Sequence, residues 1–254
     1  MKLFLICMTV VIAGALTAGV DAAQVEIISR IGTTCPVIRV KGDFIKTDAE
    51  KFELLVRPFK RALVEFESDG GTAYDGLIIG KIIFGSGYWT VVRAGKRCAS
   101  ACAIAWLGGT HRFAEKGSRI GFHAVYIKKN KRTEESGIGN AILGAYLTKL
   151  GLSEDAVAYV TASGPAQMAW LTPKAARDVG IEVTFGRPID NQHSSPDRDR
   201  VSTGFSAASK YPTKVTSNSA SHVKNGTSTK QIYDRLTPEQ EEDQKKSIDD
   251  CFGK

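Results

Sequence analysis

The sequence contains no C-x-x-C pair, no phosphate-binding P-loop and no internal repeat. The first absence, with no histidine at ligand spacing from Cys98 and Cys102, leaves no four-ligand zinc pattern. The second removes an ATPase activity of the chain's own. The third removes solenoids and propellers. Nothing in the pattern calls for a metal or a cofactor. The run Lys128-Lys129-Asn130-Lys131-Arg132 has no interleaved aromatics, and no nucleic-acid motif accompanies it, so no base-stacking platform is expected. What is present is ordinary: 254 residues, 43% hydrophobic and 24% charged, with a net charge of +7. Those fractions exclude collagen-like, coiled-coil and wholly disordered classes.

The chain starts Met1-Lys2 and then runs apolar from Leu3 to Val20. One basic residue, an apolar stretch and the small residues of Val20-Asp21-Ala22 read as a secretory signal peptide at 1–22, cut after Ala22. A retained membrane anchor is the alternative. Export, with the periplasm as destination, changes the meaning of the cysteines. Cys7 leaves with the signal, and Cys35, Cys98, Cys102 and Cys251 remain. Four cysteines in an oxidising compartment allow three full pairings. One or two structural disulfides are expected, with Cys251 the candidate to stay free.

From Val25 to Gly186 strand-like and helix-like segments alternate. Pro36–Val40, Ala62–Phe66, Tyr88–Arg93, Arg119–Ala124 and Ile181–Phe185 read as strands. Thr47-Asp48-Ala49-Glu50 has the form of a capping box, opening a helix to about Phe59. Further helices are expected at Ala73–Phe84, Ala99–Leu107, Ile138–Leu150 and Glu154–Thr161. A short one opens at Thr172-Pro173 and closes at Gly180. This alternation predicts one α/β domain over 23–186. Residues 187–254 are polar and poor in large apolar side chains, which predicts a disordered tail, with one charged helix at 237–250. That tail holds 11 basic and 10 acidic residues and the signal nets zero, so six of the seven excess charges belong to the domain.

Three pieces carry candidate chemistry. Ser68-Asp69-Gly70-Gly71 joins a strand to a helix, and its glycines let backbone amides approach a ligand. Cys98-Ala99-Ser100-Ala101-Cys102 places a serine at the start of a small-residue helix, and Gly121-Phe122-His123 ends the following strand. A serine, a histidine and unbonded amides are the parts that acyl transfer needs. Each alone also has a structural reading: a helix-packing serine, a strand-end histidine, a tight turn.

Taken in order, Ser68–Gly71, Gly76 and Gly80, Cys98–Cys102, Gly108–Arg112, Ile120–His123, and Trp170-Leu171-Thr172-Pro173-Lys174-Ala175 with Gly180-Ile181 resemble the Clp-protease-like branch of the crotonase superfamily. The likeness covers Val37 to Gly180 and is nearest to exported ClpP-like bacterial proteins. It implies a ClpP/crotonase-like fold of repeated ββα units. It implies Ser100 as nucleophile, His123 as general base, and the backbone N–H groups of Gly71 (or Gly70) and Ala101 as oxyanion hole. Asp69 stands where the family has proline. Where Clp proteases carry the histidine-orienting Asp, this chain has Gln167-Met168; Asp155 and Asp178 are the nearest acids, and neither matches the motif. A bridge from Cys35 to Cys98 or Cys102 is expected, pinning the serine helix to the sheet.

Three functions compete. The first is an exported, ATP-independent serine peptidase or related acyl hydrolase. The second is a catalytically degenerate binding or scaffold protein, motivated by the missing Asp. The third is chemistry on an acyl-CoA thioester, disfavoured by export and by the lack of a placed glutamate pair. Expected partners are a peptide or protein substrate and further copies of the chain, with no ATPase and no nucleic acid. Lys128, Lys129, Lys131 and Arg132 can touch the envelope surface, or form a solvated loop.

Overall fold

The computed structural model describes residues 22–28, 35–130 and 132–186. Most of the signal segment, Lys131, Cys251, the tail and its expected helix lie outside the described residues. In chain order the elements are β1 (Gln24–Ile28), β2 (Val37–Lys41), α1 (Asp48–Val56), β3 (Leu63–Glu67), α2 (Ala73–Gly85), β4 (Trp89–Val92), β5 (Arg97–Ala99), α3 (Ala101–Trp106), β6 (Arg112–Ala114) and β7 (Arg119–Phe122). There follow β8 (Tyr126–Lys129), β9 (Arg132–Glu135), α4 (Gly137–Lys149), α5 (Glu154–Thr161), β10 (Ala169–Trp170), α6 (Pro173–Val179) and β11 (Thr184–Phe185).

A six-stranded sheet runs β1-β2-β3-β4-β6-β11, with every pairing parallel except β1 to β2. A smaller sheet, β10-β7-β5, pairs β5 and β7 in parallel and β10 antiparallel. The parallel strands are buried on both faces, which is why Leu63, Val64 and Phe66 of β3 and Val91 and Val92 of β4 are all apolar. Phe52, Phe66, Ile79, Trp106 and Phe122 fill the space between sheet and helices. Each such fully buried side chain contributes about 2–3 kcal/mol of burial free energy. Gly76 and Gly80 let α2 lie directly on α3: a Cβ at Gly76 would come within 2.4 Å of the Ala101 carbonyl oxygen.

Several expectations need correction. The capping box does not form: Thr47 has φ 89° and its side chain caps nothing. Two buried carboxylates do that work, Asp48 accepting from the Ile45 N–H at 2.8 Å and Asp75 of α2 from the Ala49 N–H at 3.1 Å. Helix α1 ends at Val56: Arg57 still has helical backbone and donates to the Glu53 carbonyl, but Pro58 has no N–H to continue the ladder. The basic run is not a loop: Tyr126–Lys129 and Arg132–Glu135 form an antiparallel hairpin that leaves Lys128, Lys129 and Arg132 exposed. The expected helix Ala99–Leu107 is split, because Cys98 and Ala99 pair with Ile120 and Gly121 as strand β5.

Candidate active site

That split makes the site. Strand β5 ends at Ala99, the chain turns at Ser100, and α3 starts at Ala101. Ser100 has φ 56° and ψ −124°, a conformation that L residues avoid and that lifts a side chain out of a strand-to-helix turn. The turn is held on both sides: the Ser100 N–H donates to the Gly121 carbonyl at 2.9 Å, and the Ser100 carbonyl accepts from the Ile104 N–H at 3.1 Å.

A disulfide joins Cys98 to Cys102 across the same turn, with 5.2 Å between the Cα atoms. This replaces the expected bridge from Cys35. The reason is which side of the sheet each residue occupies. Cys98 and Cys102 belong to the main core, whereas Cys35 sits with Val37, Leu63, Val91 and Phe113 in a separate apolar cluster. Cys35 is itself disulfide-bonded, but not to Cys98 or Cys102, which pair with each other.

Gly70 and Gly71 lie against the turn, at φ 123° and 117°. A Cβ on Gly70 would fall 2.7 Å from the Ser100 Cβ, and one on Gly71 would fall 2.1 Å from the Phe44 carbonyl oxygen. Phe44 forms a parallel bridge with Gly71, donating to the Gly70 carbonyl at 2.6 Å and accepting from the Thr72 N–H at 2.8 Å. In a parallel bridge the central residue's own N–H and C=O face away from that partner. The Gly71 N–H is therefore turned from Phe44, and no hydrogen bond among the described residues uses it. The Gly70 N–H, by contrast, donates to Ser68 Oγ at 3.0 Å. Ala101 is the first residue of α3, so its N–H has no partner within the helix. Asp69 forms an ion pair with Arg97, which clamps the turn where the resembled family has proline.

His123 follows β7 and is half-buried. Its Nδ1 lies 2.7 Å from the Ala124 carbonyl oxygen, and its ring lies beside Tyr126 with 5.4 Å between centroids. Carbonyl oxygen only accepts, so Nδ1 carries the proton and Nε2 presents a lone pair. Ser100, His123 and Gly71 line one cleft of about 360 Å³, whose walls include Phe44, Ile104 and Lys128. Among the described residues no hydrogen bond joins Ser100 to His123, a looseness common before substrate binds. Among the described residues no carboxylate lines the cleft. The antiparallel register of β10 with β7 runs Gln167-Met168 toward His123 without an acid, and Asp178 pairs instead with Lys174 at 2.5 Å on the surface.

Sequence reading missed Phe44 and Tyr126, and gave Lys128 only as part of the basic run, not as a wall of this cleft. Phe44 has no local signal, because its role rests on a bridge to a residue 27 positions on. A larger cleft, about 740 Å³, contains neither Ser100 nor His123. Most of its charged lining is paired, Lys41 and Lys96 with Glu67 and Arg97 with Asp69, and Arg119 stacks on Trp170, which reads as solvated surface.

No family model matches the chain, and no curated protein matches it. Solved structures do resemble it. A mutant of the 1510-N membrane-bound stomatin-specific protease is 18% identical, covering 61% of this chain and 80% of that one, with a TM-score of 0.48. ClpP1 from Listeria monocytogenes is 17% identical over 59% of this chain and 92% of that one, with a TM-score of 0.44. The 1510-N membrane protease specific for a stomatin homolog from Pyrococcus horikoshii is 17% identical over 61% and 74%, with a TM-score of 0.44.

Proposed function

We propose that this chain is an exported serine peptidase or related acyl hydrolase that works without ATP. The carrying observation is the Ser100 turn, held at positive φ in one cleft with His123 and the Gly71 amide. His123 Nε2 takes the Ser100 hydroxyl proton as Oγ bonds to the substrate carbonyl carbon. The N–H groups of Gly71 and Ala101 receive the resulting oxyanion. The imidazolium then gives its proton to the leaving amine or alcohol, and the acyl-serine remains. Water, deprotonated by His123, releases the acid and restores Ser100.

The cleft volume suits a peptide side chain or short acyl group. The Cys98–Cys102 disulfide supports an oxidising compartment, in keeping with a periplasmic location. Self-association and a contact of the Lys128–Arg132 hairpin with the envelope surface belong to the same proposal.

A fluorophosphonate probe tests it. Wild type is expected to label and Ser100→Ala is not. A wild-type protein that never labels between pH 6 and 9 overturns the proposal. One observation favours the second reading, a degenerate binding module: among the described residues the cleft has no carboxylate to support an imidazolium. Failure to label while a peptide ligand still binds would establish that reading instead.

A further inference from the structure

The peptide group between Ala124 and Val125 is bonded at both ends. Its carbonyl accepts the His123 Nδ1 proton at 2.7 Å, and its N–H donates to Asn140 Oδ1 at 2.7 Å. The N–H can only donate, so the Asn140 atom facing it is the oxygen. Hydrogen bonding at an amide N–H polarises the peptide and makes its carbonyl a better acceptor. The neighbouring backbone groups are tied as well. The Ala124 N–H donates to the Ser163 carbonyl at 2.8 Å, and the Val125 carbonyl accepts from the Ser136 N–H at 2.8 Å. Ser136 caps α4 by accepting from the Gly139 N–H at 3.0 Å, and the Asn140 N–H donates to the Ser136 carbonyl at 2.8 Å. The first turn of α4 therefore sets where the Asn140 side chain meets the 124–125 peptide.

We propose that Asn140 is a positioning residue that acts through the Ala124–Val125 peptide to hold His123 as its Nδ1–H tautomer. A neutral amide and a peptide dipole thus do the orienting work for which serine triads use a carboxylate. This deepens the hydrolase reading and rests on it, because tautomer control matters only if Nε2 must accept the Ser100 proton. Asn140 has no contact with the reacting atoms; its effect is transmitted by one peptide unit. The arrangement orients the imidazole but supplies no negative charge to the imidazolium, so a site built this way turns over more slowly than one with an Asp.

The test uses the full chain with ¹⁵N-labelled histidine, as wild type, Asn140→Ala and Asn140→Asp, with His123→Gln to assign the resonance. Ring ¹H–¹⁵N correlations at pH 8 read which nitrogen is protonated, and fluorophosphonate labelling reads reactivity. Wild type is expected to show His123 protonated at Nδ1. Asn140→Ala is expected to shift it toward Nε2–H and to slow labelling about tenfold or more. Asn140→Asp, whose carboxylate oxygen can accept the same Val125 N–H, is expected to restore both. An Asn140→Ala protein with the wild-type tautomer and labelling rate overturns the inference. So does a wild-type His123 found as Nε2–H, a result that holds even if the alanine variant does not fold. A wild type that shows the expected tautomer shift between variants but never labels overturns the hydrolase reading alone.

Discussion

The main sheet and the cleft of Ser100 and His123 treat charge in opposite ways. On the main sheet, Arg39, Glu65, Arg93 and Glu115 form a chain of ion pairs. Arg39 and Arg93 reach Glu65 at 3.0 and 2.7 Å, and Arg93 reaches Glu115 at 2.8 Å. Glu115 also accepts from the Ala94 N–H at 2.9 Å. In the cleft, Ser100 and His123 have no carboxylate, and the histidine is oriented by a peptide carbonyl. The difference follows from when the charge exists. A guanidinium is charged in every state of the folded chain, so a poorly solvated one demands a counter-charge at all times. A neutral imidazole demands only a dipole at rest; in the proposed reaction its charge is transient. Stability therefore fixes the first network, while the second keeps its geometry with no acid among the described residues.

The strongest way to break the comparison is at the proposed nucleophile. Ser100→Ala should reduce probe labelling by about 10³-fold or more while leaving the circular dichroism spectrum unchanged. Retained labelling in that variant would place the reactive group elsewhere. Gly71→Ala comes next. A Cβ there meets Phe44 backbone at 2.1 Å from a φ of 117°, so the amide must move. Loss of one oxyanion donor costs about 10²-fold in rate. Labelling kinetics on the folded variant check this, and an unchanged rate would remove Gly71 from the oxyanion hole.

On the charged side the effect should be on stability alone. Glu65→Gln removes the carboxylate that Arg39 and Arg93 share, leaving Glu26 to Arg39 and Glu115 to Arg93, and should destabilise the domain by about 3 kcal/mol, read from the urea midpoint. Labelling at low denaturant should not change; a fall would show that the two regions are coupled. The double variant Cys98→Ala/Cys102→Ala should lose about 2 kcal/mol, since the bridge closes a very short loop. A loss as large as that of Glu65→Gln would mean that the bridge constrains more than the chain-entropy argument allows.

The smallest effect is in acid. Burial pushes the Glu65 carboxyl up, but hydrogen bonds and charge from Arg93 and Arg39 outweigh it and hold the group below its ordinary range. A carboxyl depressed in the folded state contributes stability that is complete above its unfolded value, about 4.3. That contribution is lost as pH falls through the folded value. Urea midpoints taken from pH 6 to pH 3 should show this decline in wild type and less of it in Glu65→Gln. Parallel slopes would mean that other carboxylates carry the acid sensitivity.

Helix α5 was legible to the residue, because Ser153 caps it with its side chain on the Ala156 N–H and Ala156 and Val160 recur on one face. Helix α6 was legible from Thr172, Pro173 and Gly180, each in the capping position its chemistry favours. Strands β5 and β6 were not. Each is three residues long, too short for periodicity, and is defined by its partners. The Thr47 cap failed because its φ of 89° is not the extended conformation a capping residue takes; Asp75, 26 residues from Ala49 in the chain, satisfies the Ala49 N–H instead.

By itself the sequence determined the α/β alternation, the glycine pair, and the order in which serine and histidine arrive. It also determined that no acid stands at Gln167-Met168. Local composition records these, since burial periodicity and turn chemistry act over a few residues. Tertiary structure decided that Ser100 turns at positive φ, that Cys98 pairs with Cys102, that the Gly71 N–H rather than that of Gly70 is left unbonded, and that the Ala124 carbonyl meets His123. Each of these depends on which backbone groups are already taken by segments distant in the chain. Phe44 takes one side of Gly71, Gly121 holds Ser100, and Asn140 holds the peptide behind the histidine.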